Sequence, residues 1–189
     1  MSVKHRNLKG IVTASAVFAL FCLPLAAGAA DPGEEAALLA QLAEADSAEA
    51  QRLDRELQAL WSRSGSASMD LLLRRGRDAL DRGEAGVAIE HLTALTDHAP
   101  DFAEGWYMRA SAFFQAGLYG PALADLERAL ALNPNNYDAI FGLGSLLEVF
   151  GDSARAYQAY EQARDLNPHH EDVIKAMDRL RPEVEGKAL

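Results

Sequence analysis

The stretch AEGWYMRASAFFQAGLYGPALADLERALALNP, Ala103–Pro134, contains two helical apolar patterns separated by Gly117 and closed by Pro134. In the second, Leu123, Leu126 and Leu130 fall at the three-to-four-residue spacing of one helix face. The same punctuation recurs at intervals of 34 residues: Gly83, Gly117 and Gly151; Ala88, Ala122 and Ala156; Pro100, Pro134 and Pro168. A fixed period carried by three residue types marks stacked units, each a helix, a turn, a second helix and a turn. Gly stands where the first helix must end in a left-handed residue, and Pro where the second must stop. Small residues recur inside the helices as well, at Gly76, Ala110 and Gly144 and again at the three alanines, where two axes need to approach closely.

The segment resembles a full tetratricopeptide repeat through Trp106, Ala110, Phe113, Gly117, Tyr119, Ala122, Leu126, Ala129 and Pro134. Residues 137–170 form another unit through Leu143, Gly144, Leu147, Ala156, Tyr160, Ala163 and Pro168. Residues 69–102 form a more degenerate one, with Arg75 where a large apolar residue is usual and Leu95 where Ala is usual. The resemblance implies an all-α, right-handed helical solenoid of three helix-turn-helix repeats, at 69–102, 103–136 and 137–170.

Two further helical parts flank the repeats. Residues 171–189 contain a capping helix with an apolar stripe of Val173, Ile174, Met177 and Leu180, expected to stop at Pro182. Residues 31–68 read as a helical hairpin and a serine-rich joint, the helices running from Glu34 to Ala43 and from Ser47 to Trp61. Asp46 and Glu49 have the spacing of a capping box between them. Leu53, Leu57, Leu60 and Trp61 supply a face to bury, so the hairpin is expected to cap the first repeat; a mobile arm that docks a partner is the competing reading.

Residues 1–30 have the layout of a secretory signal. Lys4, Arg6 and Lys9 precede an apolar run from Ile11 to Leu25, and small residues lead to a cleavage site after Ala29 or Ala30. The run is short of the roughly 20 apolar residues that a spanning helix needs. A lipid-attachment signal would carry a small residue where Phe21 precedes Cys22. Cleavage removes Cys22, the one cysteine, and leaves 15 basic against 28 acidic side chains, a formal charge of −13 where the full chain has −10. So acidic a surface repels phosphate backbones and anionic lipid, which argues against nucleic-acid binding and against membrane association after cleavage. With no disulfide available, the fold has to stand on helix packing.

Catalytic constellations are absent from the pattern, and neither enzyme activity nor a cofactor is expected. His91 and His98 lie seven residues apart with no third ligand in view. The run His169, His170, Glu171, Asp172 reads as a loop that could hold a metal only weakly.

What remains is binding. The resemblance implies a concave groove lined by the first helix of each repeat. In this sequence the groove would present Asp70, Leu73, Arg74, Arg77 and Leu80, then Glu104, Tyr107, Met108, Ser111, Phe114 and Gln115, then Asp138, Phe141, Ser145 and Glu148. Tyr107, Phe114 and Phe141 would serve as apolar anchors, and Arg74 and Arg77, one turn apart, could pair with a ligand carboxylate. Family members that grip a C-terminal carboxylate do so with Lys, Asn and Arg; the corresponding places here hold Leu73, Arg77, Met108, Asp138 and Gly142, so that clamp is not expected.

The segments LWSRSGSASMDLLL (Leu60–Leu73) and AIEHLTALTDHAPDFAEGW (Ala88–Trp106) resemble small exported repeat proteins of Gram-negative bacteria. The sequence therefore leads to a periplasmic scaffold or adaptor that binds a peptide segment of an envelope protein. The alternative is a structural accessory subunit that associates through its N-terminal hairpin or with itself.

Overall fold

A computed structural model describes residues 32–186, all of whose regular structure is helical. The expected signal sequence and its cleavage site lie outside the described residues. Helices α1 (Pro32–Glu44) and α2 (Ser47–Trp61) precede three helix pairs: α3 (Ala67–Asp81) with α4 (Ala85–His98), α5 (Ala103–Gln115) with α6 (Tyr119–Leu132), and α7 (Tyr137–Val149) with α8 (Ser153–Leu166). Helix α9 (Glu171–Gly186) follows. Within each pair the helices pack side by side, and α4 packs on α5, α6 on α7 and α8 on α9. Helix α3 also touches α5, and α5 touches α7, so the first helices line one inner face. This is the all-α helical solenoid that the 34-residue period predicts.

The turns show why the period works. Gly83, Gly117 and Gly151 have φ of +75°, +73° and +79°. In each turn the Gly amide and the next one bond back to the helix: Gly117 N–H to Phe114 O at 2.9 Å and Leu118 N–H to Phe113 O at 2.8 Å. A left-handed residue closed by such paired bonds satisfies the last carbonyls of the first helix and reverses the chain.

The small residues meet their purpose in the core. Ala88, Ala122 and Ala156 are fully buried. A Cβ on Gly76 would collide with Leu92, and one on Gly144 with the ring of Tyr160. These positions let α3 lie close to α4, and α7 close to α8.

Two expectations about the C-terminal helix are corrected. It runs through Pro182 to Gly186; the carbonyl that loses its amide partner belongs to Asp178, an exposed residue that water can serve. Glu183 accepts a bond from Ser153 Oγ at 2.8 Å, which ties the segment beyond the proline to α8. In the stripe, Ala176 rather than Ile174 is buried with Val173, Met177 and Leu180; Ile174 is 40% exposed.

The hairpin is the larger correction. Asp46 caps α2 as expected, accepting the amides of Ala48 and Glu49 at 3.0 Å each. The hairpin does not cap the first repeat, however. Leu42, Leu53, Leu57 and Trp61 are buried in one cluster with Tyr137, Ile140, Val173 and Met177, and α1 packs against α8. The Trp61 ring stands edge-on to Tyr137, 5.1 Å between centroids. The reason is complementarity: the start of α7 offers Tyr137 to Trp61 and Asp54, and Asp138 to Gln58, whereas α3 turns Arg74 and Arg75 outward.

Candidate functional site

Each first helix places every third or fourth side chain on the inner face, so neighbouring repeats set α5 and α7 side chains opposite one another. Between them lies an apolar cleft of about 190 Å³, walled by Tyr107 and Phe114 from α5 and Phe141 from α7, with Ala110 and Leu126 also lining it. Asp138 is its acidic member. The serines in its walls serve their own helices: Ser111 Oγ donates to Tyr107 O at 3.1 Å and Ser145 Oγ to Phe141 O at 3.0 Å. The lining is therefore mostly carbon, and burial raises the Tyr107 hydroxyl far above its ordinary pKa. Phe114 is 38% exposed and leans on Tyr119 at 5.5 Å between ring centroids, which in turn meets Phe150 edge-on at 6.5 Å.

The other residues expected in the groove are placed less openly. Leu73, 1% exposed, belongs to the core with Leu92, and Met108 packs against the same cluster. Glu104 is 2% exposed and forms an ion pair with Arg77, while Asn136 Nδ2 donates to its second oxygen at 3.3 Å. Burial pushes the Glu104 carboxyl upward, and the Arg77 ion pair and the Asn136 amide oppose that push. Arg77 also donates to Ser62 Oγ at 2.9 Å, so its guanidinium is already engaged on two sides. Glu148 accepts from Tyr160 Oη at 2.5 Å and pairs with Arg179. Gln115 is exposed and donates to Leu80 O at 3.4 Å. Arg74 is exposed beside a second cavity of about 480 Å³, which Asp70 of α3 and Gln58 and Ser62 from the α2 side also line.

Sequence reasoning missed the junction at the start of α7. Asp138 Oδ1 accepts from His170 Nε2 at 2.9 Å, and its other oxygen accepts from the amide of Gln58 in α2. Tyr137 Oη donates to Asp54 at 2.6 Å, and His169 Nε2 donates to Ala45 O at 3.0 Å. The signal was present in the adjacent pairs Tyr137–Asp138 and His169–His170, but their partners lie 32 to 124 residues away in the chain. Among the described residues no three His, Cys, Asp or Glu side chains converge as a metal would require.

His170 makes this junction respond to pH. Burial disfavours its charged form, but the bond to Asp138, backed by the charges of Asp172 and Asp54, outweighs burial and raises the pKa above the ordinary 6.5. The Val173 amide sits 3.4 Å from Nδ1 and favours the neutral ring, at a length too great to decide the balance. A raised folded pKa means that the stabilisation is complete below the unfolded value and is lost as pH rises through the folded one. The melting temperature of the wild type should therefore exceed that of His170→Asn by more at pH 5.5 than at pH 8.5. Equal differences at both pH values would rule out the charged pair.

Residues 103–136 match the tetratricopeptide repeat family. The chain is 27% identical over 143 residues to a TPR repeat-containing protein of Rhizobium etli, taking in 76% of this chain and 70% of that one. It is 28% identical over 120 residues to the SGT1 homolog of Bos taurus, of which it spans about a third, 36%. Among solved structures, the first TPR domain of Spaghetti (RPAP3) bound to the HSP90 peptide SRMEEVD superposes with a TM-score of 0.61 at 22% identity, over 64% of this chain and 98% of that domain. The MamA protein superposes with a TM-score of 0.57 at 24% identity, over 82% and 84%. No helix among the described residues is long and apolar enough to cross a membrane. The chain thus carries a tetratricopeptide repeat, and its described residues fold as a solenoid of the tetratricopeptide-repeat type.

Proposed function

We propose that this chain is a non-enzymatic periplasmic adaptor that holds an apolar segment of an envelope protein in the cleft between α5 and α7. The observation that carries the reading is the cleft itself: three aromatic side chains wall it, and Phe114 keeps more than a third of its surface open to water. A few desolvated aromatic anchors supply most of the energy in such contacts. Export rests on the order of charged, apolar and small residues over 1–30.

The Spaghetti domain holds an acidic HSP90 peptide, and this chain is built for a different ligand. Arg77 is committed to Glu104, and Asp138 carries the sign that repels a carboxylate. An apolar segment with neutral or basic flanks suits the site and the formal charge of −13 that remains without residues 1–30. The accessory-subunit alternative has less support, because the bulky hairpin residues Leu53, Leu57 and Trp61 are turned into the body of the protein rather than outward.

Phe114→Ala tests the reading with little risk to the fold, since the ring is a wall and not a core element. Against a peptide array of envelope-protein segments, the variant should bind the wild-type hits at least about tenfold more weakly, the loss of one anchor worth roughly 1.4 kcal/mol or more. Unchanged binding, with unchanged helical signal, would remove the cleft from the interaction.

A further inference from the structure

The inner-face positions of the first and third repeats already have an occupant. Helix α2 spans them: Asp54 and Gln58 meet Tyr137 and Asp138 of α7, and Ser62, just past its end, meets Arg77 of α3. Leu53, Leu57 and Trp61 supply the apolar stripe beside those polar contacts. The chain thus lays one of its own amphipathic helices where a ligand of the inner face would lie.

The seat is only partly filled. A cavity of about 720 Å³ opens between the first half of α2 and the turn from α8 to α9, and the one of about 480 Å³ lies between its second half and α3. Among the described residues no backbone–backbone hydrogen bond joins α1 or α2 to the repeats; side chains make the contacts, apart from the carbonyl of Ala45 that faces His169 and the Ser64 amide in the joint that bonds to Asp70. Helix α1 buries Leu42 fully, while its Leu38 and Leu39 are only partly buried against the same cluster. The joint Ser62–Ser66 contains Gly65 at φ +79°, and Ser64 is held to Asp70 of α3 by its amide at 2.9 Å and its hydroxyl at 2.6 Å, so a displaced α2 pivots on the near side of Ser64. Within the repeats, by contrast, paired helices interlock through small residues with no room for a Cβ at Gly76 or Gly144.

We propose that the surface beneath α2 is a receptor for an amphipathic helix and that α2 is its built-in, displaceable occupant. The partner that fits is a helix of α2's own chemistry, with large apolar residues spaced as Leu53, Leu57 and Trp61 and a carboxylate and an amide spaced as Asp54 and Gln58. Being tethered, α2 acts at an effective concentration of the order of millimolar. An incoming helix must therefore bind much more tightly than α2 does, or meet a hairpin that has been loosened. This surface meets the α5–α7 cleft at Asp138 and at Phe141, which packs against the same cluster as Leu53, Leu57 and Trp61.

The test uses the full chain and a fluorescently labelled synthetic peptide of Ser47–Trp61. Asp54→Ala with Gln58→Ala loosens the hairpin while leaving its apolar stripe and every residue of the receptor surface intact. The double variant should bind the wild-type peptide at least about tenfold more tightly than the unaltered chain does. Its α2 amides should exchange with deuterium at least about tenfold faster, with α5 and α6 unchanged. Equal peptide binding by the two chains would overturn the proposal. So would loss of the cooperative melt in the variant, because α2 would then be a fixed part of the core. Phe114 takes no part in the seat, so failure of the cleft reading leaves this result standing.

Discussion

Asp125→Ala should lower the stability of the folded chain by about 3–5 kcal/mol, the cost of leaving a buried charge without its partner. Arg109 and Asp125 form a two-point pair, Nε to Oδ2 at 2.6 Å and Nη2 to Oδ1 at 2.8 Å, between α5 and α6. Their side chains keep 14% and 7% of their surface. Thr96 of α4 accepts a further bond from Nη1 at 2.8 Å, and the guanidinium lies 4.8 Å from the centroid of the Trp106 ring. The charge is thus enclosed by three helices and an aromatic face, and Ala at 125 gives it neither a counter-ion nor water. The control is the double replacement Arg109→Met with Asp125→Leu, which removes both charges at similar volume and should cost far less than the single change. Urea melts of the three chains decide the matter. A single-variant loss below about 1 kcal/mol would mean that water reaches the guanidinium and the pair behaves as a surface bridge.

Gly144→Ala should cost about 2 kcal/mol, although Ala is the better helix former by roughly 1 kcal/mol. The added methyl would lie within 3.0 Å of three carbons of the Tyr160 ring. That ring cannot step aside cheaply. It is 1% exposed, its hydroxyl donates to Glu148 at 2.5 Å, and its face packs on Phe141 at 5.4 Å between centroids. The equivalent substitution Gly76→Ala meets Leu92, a chain with more rotamer freedom and no hydrogen bond to break, and should cost less. Thermal melts of the two variants side by side check the order. A smaller loss at Gly144 than at Gly76 would show that α7 and α8 can spread apart.

These two predictions mark what can be read from one sequence. The need for a small residue at 76, 110 and 144 was legible, because it recurs with the period; that a Leu faces Gly76 and a Tyr faces Gly144 was not. Nothing in the period pointed to Arg109 or Asp125. Their partnership is a contact between helices, and a charged residue on a helical pattern reads as solvent-facing until its neighbours are known. The aromatic cleft was legible in part. Tyr107, Phe114 and Phe141 do stand together, but Leu73 and Glu104, chosen by the same positional logic, are covered by core neighbours in one case and by the Arg77 pair in the other.

Local chemistry, repeated in phase, was enough for the helices, their turns and the order of the solenoid. Gly83, Gly117 and Gly151 end three helices because a left-handed residue is cheap only there, and Asp46 starts α2 because its carboxylate reaches two free amides a few residues on. Such interactions span few residues and leave their mark in the spacing. The seat of the hairpin belongs to the tertiary structure. Leu53, Leu57 and Trp61 announce a face that must be buried, but the choice between α3 and the start of α7 depends on which surface offers Tyr137 and Asp138 in matching positions. Their residues lie some eighty positions further along, and no period in the chain connects them.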